Sequence, residues 1–276
     1  MDGWRCYYRV ADYTLSIEGG DSALVPWAES LYPCAQFGKG DPQRIFRVEG
    51  AKGRYHLLEG TNKLAEAESW PELFAVTEWR LTRALMEGVH ALYQLHAGVV
   101  VLNGRALVLC GHSGAGKTSL TVGLGLRGGA VYGDEVAIFD ADSLRVFSFP
   151  RDLIVRNGTR DLFPQIEQLE LPAWKVFADY RHVPPQAWCP LAGSPVPCSG
   201  FVFPQLRHDG CEPSLRRLGP AEAAQRILEQ SFNMDQWGKR GIDLVGQLAE
   251  QYPAWELVFA DAERAADYVL ASEIER

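Results

Sequence analysis

The sequence predicts an α/β fold, with a small β-rich N-terminal domain ahead of a larger domain built on one glycine-rich loop. Three observations carry this. The stretch Leu109-Cys-Gly-His-Ser-Gly-Ala-Gly-Lys-Thr-Ser119 fills the pattern G-x-x-x-x-G-K-[ST], with Gly111, Gly116, Lys117 and Thr118 at the fixed places. Ala106-Leu-Val-Leu-Cys110 before it is an apolar run of buried-strand length, and Ser119-Leu-Thr-Val-Gly-Leu-Gly-Leu126 after it places leucines at helical spacing. The first 60 residues, in contrast, read as short β-branched and aromatic runs separated by glycine turns.

Strand, loop, helix is the context in which that pattern cradles phosphate. Glycines let successive N–H groups turn inward, and the following helix adds the positive end of its dipole. Gly111, His112, Ser113, Gly114, Ala115, Gly116, Lys117, Thr118 and Ser119 are therefore the expected nucleoside triphosphate contacts. Lys117 would reach the outer phosphates and the Thr118 hydroxyl would ligate Mg²⁺.

In chain order, Tyr7-Tyr-Arg-Val10 and Tyr13-Thr-Leu-Ser-Ile17 are strands, followed by a turn at Glu18-Gly-Gly-Asp-Ser22. Arg44–Val48 and Arg54–Leu58 flank a glycine turn and form a hairpin. Trp70-Pro-Glu-Leu opens a helix to about Leu95, whose apolar stripe is packing surface. These segments predict a β-rich domain over 1–69, a connecting helix over 70–95 and a catalytic domain over 96–276. His96–Asn103 and the strand into the loop, split by Asn-Gly-Arg, form an antiparallel hairpin. Ala130–Phe149 reads as two strands around an Asp140-Ala-Asp-Ser143 turn, and Phe149–Val155 as another strand. The proline-rich 157–200 stretch reads as loop with room for a substrate lid. Ser199–Phe203 is a central strand, Pro220 starts a helix, and Glu256–Phe259 is a short strand.

Hydrophobic residues make up 47% and charged residues 22%, as in a globular protein, and the net charge of −8 argues against a nucleic-acid partner. No apolar run reaches the roughly 18 residues of a membrane span, and the N-terminus lacks the order of a signal peptide. Six cysteines without a C-x-x-C pair suggest reduced thiols and a cytoplasmic location. Cys189, Cys198 and Cys211 with His182 and His208 fit no zinc template.

Phosphoryl transfer needs a metal ligand besides Thr118 and a base for the acceptor's proton. Asp134-Glu135 follows the short strand after the loop helix, and such a strand ends on the phosphate side. Asp140 falls about 20 Å further along an extended chain. With Asp142 and Ser143 it also has the composition of a turn. The adjacent acids are thus preferred, one to hold Mg²⁺ and one to take a proton. Arg151, Arg156 and Arg207, at strand ends, are candidates for stabilising the transferring group.

His96-Ala-Gly-Val-Val-Val101, Gly111-His-Ser-Gly-Ala-Gly-Lys-Thr118, Arg127-Gly128 and Gly133-Asp-Glu135 together resemble the catalytic domain of HPr kinase/phosphorylase and its relatives. The match is good over 96–150 and looser through Pro150-Arg151, Phe201–Phe203 and Leu218–Ala223. It implies a P-loop fold of the HPr kinase/PEP carboxykinase type and ATP- and Mg²⁺-dependent phosphorylation of a hydroxyl, usually serine. By position, Asp134 would be the base and Glu135 a metal ligand, with the two able to share or exchange roles, and His96 would sit beside the phosphates. Glu135 replaces the family's Asp, His112 occupies the loop's second position, and the arginine- and glycine-rich signatures that grip HPr are absent from the C-terminal third. Relatives encoded beside lasso-peptide genes phosphorylate a precursor peptide, so the acceptor expected here is a peptide, protein or small molecule. A homo-oligomer is compatible with the resemblance, since HPr kinases are hexamers. The rival readings are a nucleotide-gated regulatory or assembly module with incidental ATPase activity, and a phosphorylase or carboxykinase-like activity.

Overall fold

The computed structural model describes residues 3–32, 40–51, 53–149, 151–190, 193–272 and 274; Pro150, named above, and Cys34, one of the six cysteines, lie outside them. The order begins β1 (Trp4–Val10), β2 (Tyr13–Gly19), α1 (Val25–Glu29), β3 (Arg44–Ala51), β4 (Arg54–Glu59), β5 (Asn62–Ala67) and α2 (Trp70–Gly88). It continues β6 (Tyr93–Leu102), β7 (Arg105–Cys110), α3 (Lys117–Leu126), β8 (Ala130–Gly133), β9 (Val136–Phe139), β10 (Arg145–Phe147) and β11 (Leu153–Arg156). Next come α4 (Asn157–Leu162), α5 (Pro164–Glu167), β12 (Tyr180–Val183), β13 (Val196–Leu206) and β14 (Ser214–Arg217). The last are α6 (Pro220–Leu228), α7 (Met234–Gln251), β15 (Ala254–Phe259) and α8 (Ala262–Ala271). The fold is mixed α/β, and none of the helices among the described residues is long and apolar enough to cross a membrane.

Contacts divide the chain into two compact units. The first takes Met1–Val89, Pro150–Asp152 and Glu170–Pro184; the second takes His90–Phe149, Leu153–Leu169 and Pro185–Arg276.

In the first unit, β1 to β5 form one sheet in sequence order, with β2 and β3 parallel and the other neighbours antiparallel. Alternation puts Leu15, Ile17, Phe46, Val48 and Leu57 on the buried face. The Leu73, Phe74, Leu81 and Leu85 stripe of α2 is buried too, at roughly 2 kcal/mol per side chain. Ser69 caps α2 by accepting from the Glu72 amide, and the Glu72 carboxylate accepts from the Glu68 amide at 2.8 Å. The predicted helix over 70–95 is thus shorter, ending at Gly88. Leu92 and Leu95 kept the helical spacing by coincidence, and Leu95 lies in a strand buried on both faces. This helix is part of the first unit and not a separate connector, and β5 was not anticipated.

In the second unit, β6 and β7 are joined by Asn103 and Gly104, both at positive φ (50° and 76°), the two-residue hairpin turn that Asn-Gly favours. The sheet runs β10-β9-β6-β7-β13-β15-β14, with β8 also on β6. It closes on itself because β10 pairs with both β9 and β13. β7, β13 and β15 are parallel, and β8, antiparallel to β6, runs the same way as β7. β13 is central, as its apolar run predicted.

Two expectations need correction. Ala130–Phe149 holds three strands, because the chain bends at Asp134-Glu135 between β8 and β9. Residues 157–200 are not a long loop: α4, α5, two 3₁₀ turns and β12 occupy them, and 170–184 belong to the first unit. Their prolines start helical turns at Pro164 and Pro185 instead of marking unstructured chain.

Candidate active site

The site of interest lies where β7 passes into α3, at the ends of parallel strands whose apolar runs fix their depth. Cys110 closes β7, and the chain turns through Gly114 and Gly116 at φ of +84° and +93°. Side chains rarely adopt that backbone, and a Cβ on Gly116 would come within 2.6 Å of the Phe259 ring. Gly116 is the N-cap of α3 and offers no side-chain acceptor, and the first turn carries no acid. The free N–H groups and the helix dipole are therefore left to an anion.

Lys117 is buried, and its Nζ donates to the carbonyls of Gly111 (2.5 Å) and His112 (3.1 Å). Burial lowers its pKa, against the opposing pull of Glu135, Cys110 and Asp134. Thr118 Oγ1 donates to Asp134 Oδ2 at 3.0 Å. Ser119 Oγ lies 2.7 Å from Thr159 Oγ1, tying the start of α3 to α4. Ser113 and His112 are exposed, and His112 Nε2 stands 4.0 Å from Glu229 Oε2.

Asp134 is buried and Glu135 more open, and the Glu135 carbonyl accepts from Ala97 N at 3.2 Å, which anchors the bend to β6. Glu135 Oε1 lies 3.7 Å from His96 Nε2. Burial and Lys117 hold the His96 pKa below its usual value, although Glu135 pulls the other way. The fold thus brings Lys117, Thr118, Asp134, Glu135 and His96 together. Asp140 sits at the far end of β9, where it accepts from Asp142 N (3.1 Å) and Ser143 Oγ (2.6 Å) as a turn residue.

The three arginine candidates separate. Arg151 is in the first unit, buried, with Nε donating to Glu78 Oε1 at 2.5 Å, so its charge is committed to that pair. Arg207 pairs with Asp209 at 2.9 Å. Arg156, exposed at the N-cap of α4, has no ion pair among the described residues.

Sequence reasoning missed the segment after α6. Gln230 O accepts from His96 N (2.7 Å), and Phe232 N donates to Gln94 O (2.9 Å). Asn233 Oδ1 accepts from Gln94 N (3.0 Å), while its amide donates to Leu92 O (2.9 Å). Phe232 stacks on His96 with centroids 5.4 Å apart. A cleft of about 390 Å³ separates this segment from the loop, with Arg226, Glu229 and Gln230 on one wall and His112 and Ser113 on the other.

The donor set is all oxygen on the carboxylate side: one hydroxyl and two carboxylates. Mg²⁺ takes one or two carboxylates plus phosphate oxygens, so these residues fit it better than a soft metal. No cluster of three His, Cys, Asp or Glu side chains with metal-binding geometry occurs among the described residues, and Mg²⁺ bound with phosphate requires none.

No protein-family model and no curated protein sequence matches this chain.

Proposed function

We propose that this protein is an ATP- and Mg²⁺-dependent kinase that transfers the γ-phosphate to a hydroxyl, with serine as the expected acceptor. The observation that carries the proposal is the Thr118–Asp134 hydrogen bond, at 3.0 Å, with Glu135 and His96 beside it. It sets a loop hydroxyl and an acid pair around the place where the outer phosphates would lie. The HPr kinase/PEP carboxykinase type of fold is part of the proposal, supported by the hairpin entry from His96 and the acid pair after the loop helix.

Loop amides and Lys117 would hold the phosphates, Lys117 exchanging its two carbonyl partners for phosphate oxygens. Thr118 and Asp134 would hold Mg²⁺, which would neutralise charge building on the phosphate oxygens. The bond to Thr118 thus favours the exchanged assignment, with Asp134 on the metal side and Glu135 facing the acceptor. Glu135 would accept the hydroxyl proton as the acceptor oxygen bonds to the γ-phosphorus and the bond to the β–γ bridging oxygen breaks, releasing ADP. His96, stacked on Phe232 and 3.7 Å from Glu135, would orient the Glu135 carboxylate.

The test compares wild type, Asp134→Asn and Glu135→Gln in a labelled-ATP transfer assay across a Mg²⁺ titration. Asp134→Asn is expected to shift the Mg²⁺ requirement upward at least tenfold. Glu135→Gln is expected to lower kcat by about 10²–10⁴ with little change in that requirement. Unaltered transfer in both variants would remove the acid pair from the chemistry.

A further inference from the structure

We infer that the acceptor enters through the cleft between the phosphate loop and the C-terminal end of α6, and that Glu229 there selects a serine in a basic polypeptide segment. This rests on the kinase reading above and names its substrate class.

The charge balance of the cleft wall decides the sign. Arg226 is held by Glu222 (2.8 Å) and Glu256 (2.7 Å), and Arg216 by the same two carboxylates (2.9 and 3.1 Å). Two cations and two anions cancel. Glu229 is outside that quartet. Its Oε1 accepts from the neutral Gln225 amide at 3.2 Å, and its Oε2 lies 4.0 Å from His112 Nε2. No lysine or arginine pairs with it among the described residues. Glu229 is also the C-cap of α6, where the helix dipole presents its negative end to the same space. Carboxylate and dipole together favour a positive group opposite the loop and disfavour an acidic one.

The wall is held firmly. Gln230 and Phe232 are hydrogen-bonded to His96 and Gln94 of β6, and Asn233 doubles the attachment. These bonds fix the backbone just after Glu229 against β6, the neighbour of the strand that enters the loop. A basic side chain flanking the serine would sit against Glu229 while the hydroxyl reached toward Glu135.

The experiment uses three serine peptides alike except for Lys, Ala or Glu beside the serine, with Mg·ATP and the full chain. The ratio of kcat/KM for Lys over Glu is read in wild type, Glu229→Gln and Glu229→Lys, at low and high salt. The expected ratio is about three- to tenfold in wild type, near one in Glu229→Gln and below one in Glu229→Lys, shrinking with salt. Equal transfer to all three peptides, or a preference unchanged in Glu229→Gln, overturns the inference and leaves the kinase reading intact. No transfer to any peptide, with ATP hydrolysis indifferent to Asp134→Asn, overturns both.

Discussion

Arg151 and Glu78 illustrate how one residue can carry charge for structure instead of chemistry. Their side chains are 9% and 3% exposed, and Tyr32, Thr82 and the Lys175–Asp152 pair (2.6 Å) lie in the same unit. Breaking a buried pair leaves an uncompensated charge, so Arg151→Met should cost about 3–5 kcal/mol in urea unfolding. Arg207→Ala, at an exposed pair, should cost under about 0.5 kcal/mol. Equal effects would show that Arg151 is not structural. His182, in the first unit, has a buried Nδ1 without a partner and lies edge-on to Phe74. Burial lowers its pKa to about 4, with Arg151 and Lys175 adding to the effect and Glu78 opposing it. Between about pH 6.5 and 4 the unfolded chain takes up a proton that the folded chain refuses, so stability falls as pH falls. Burial raises Asp152 to about 6 against Lys175, which works in the opposite direction between about pH 4 and 6. His182→Phe removes the first effect only. Its unfolding free energy should fall less than wild type's from pH 6.5 to 4, and parallel profiles would refute the assignment. None of this was legible in the sequence, because Arg151 at a strand end looks the same whether it meets phosphate or Glu78.

At the scale of the element, the strand–loop–helix unit was read correctly because its rules are local. Asn103-Gly104 dictates a tight hairpin, and Gly116 dictates the left-handed turn that caps α3. Gly116→Ala should therefore destabilise by about 1–3 kcal/mol, from an unfavourable φ and the approach to Phe259. It should also abolish thermal stabilisation by Mg·ATP; retained stabilisation would mean that nucleotide binds elsewhere. The helix boundary at Gly88 was missed for the opposite reason. Leu92 and Leu95 continue a helical period, but the backbone from Tyr93 finds better partners in Val136–Phe139. Periodicity reports which side chains are apolar and not which backbone pairing wins. The clamp at Gln230–Asn233 was equally hidden, since its hydrogen bonds to β6 join residues more than 130 positions apart.

For the whole molecule, the larger lesson concerns 150–152 and 170–184, which leave the second unit in sequence and join the first in space. Composition could not show this, because prolines mark both loops and helix starts. The candidate site, by contrast, was largely legible: loop, acid pair and His96 all fall within 40 residues and one unit. The cleft wall proposed to face the acceptor was not, since Glu229 comes from α6, distant in sequence. If this assembly moves phosphate onto a hydroxyl, the fate of the γ-phosphate reveals it. With γ-labelled ATP, Mg²⁺ and a basic serine peptide, label should appear in phosphoserine and be lost in Glu135→Gln. Label recovered only as inorganic phosphate, or only as intact ATP, would contradict it.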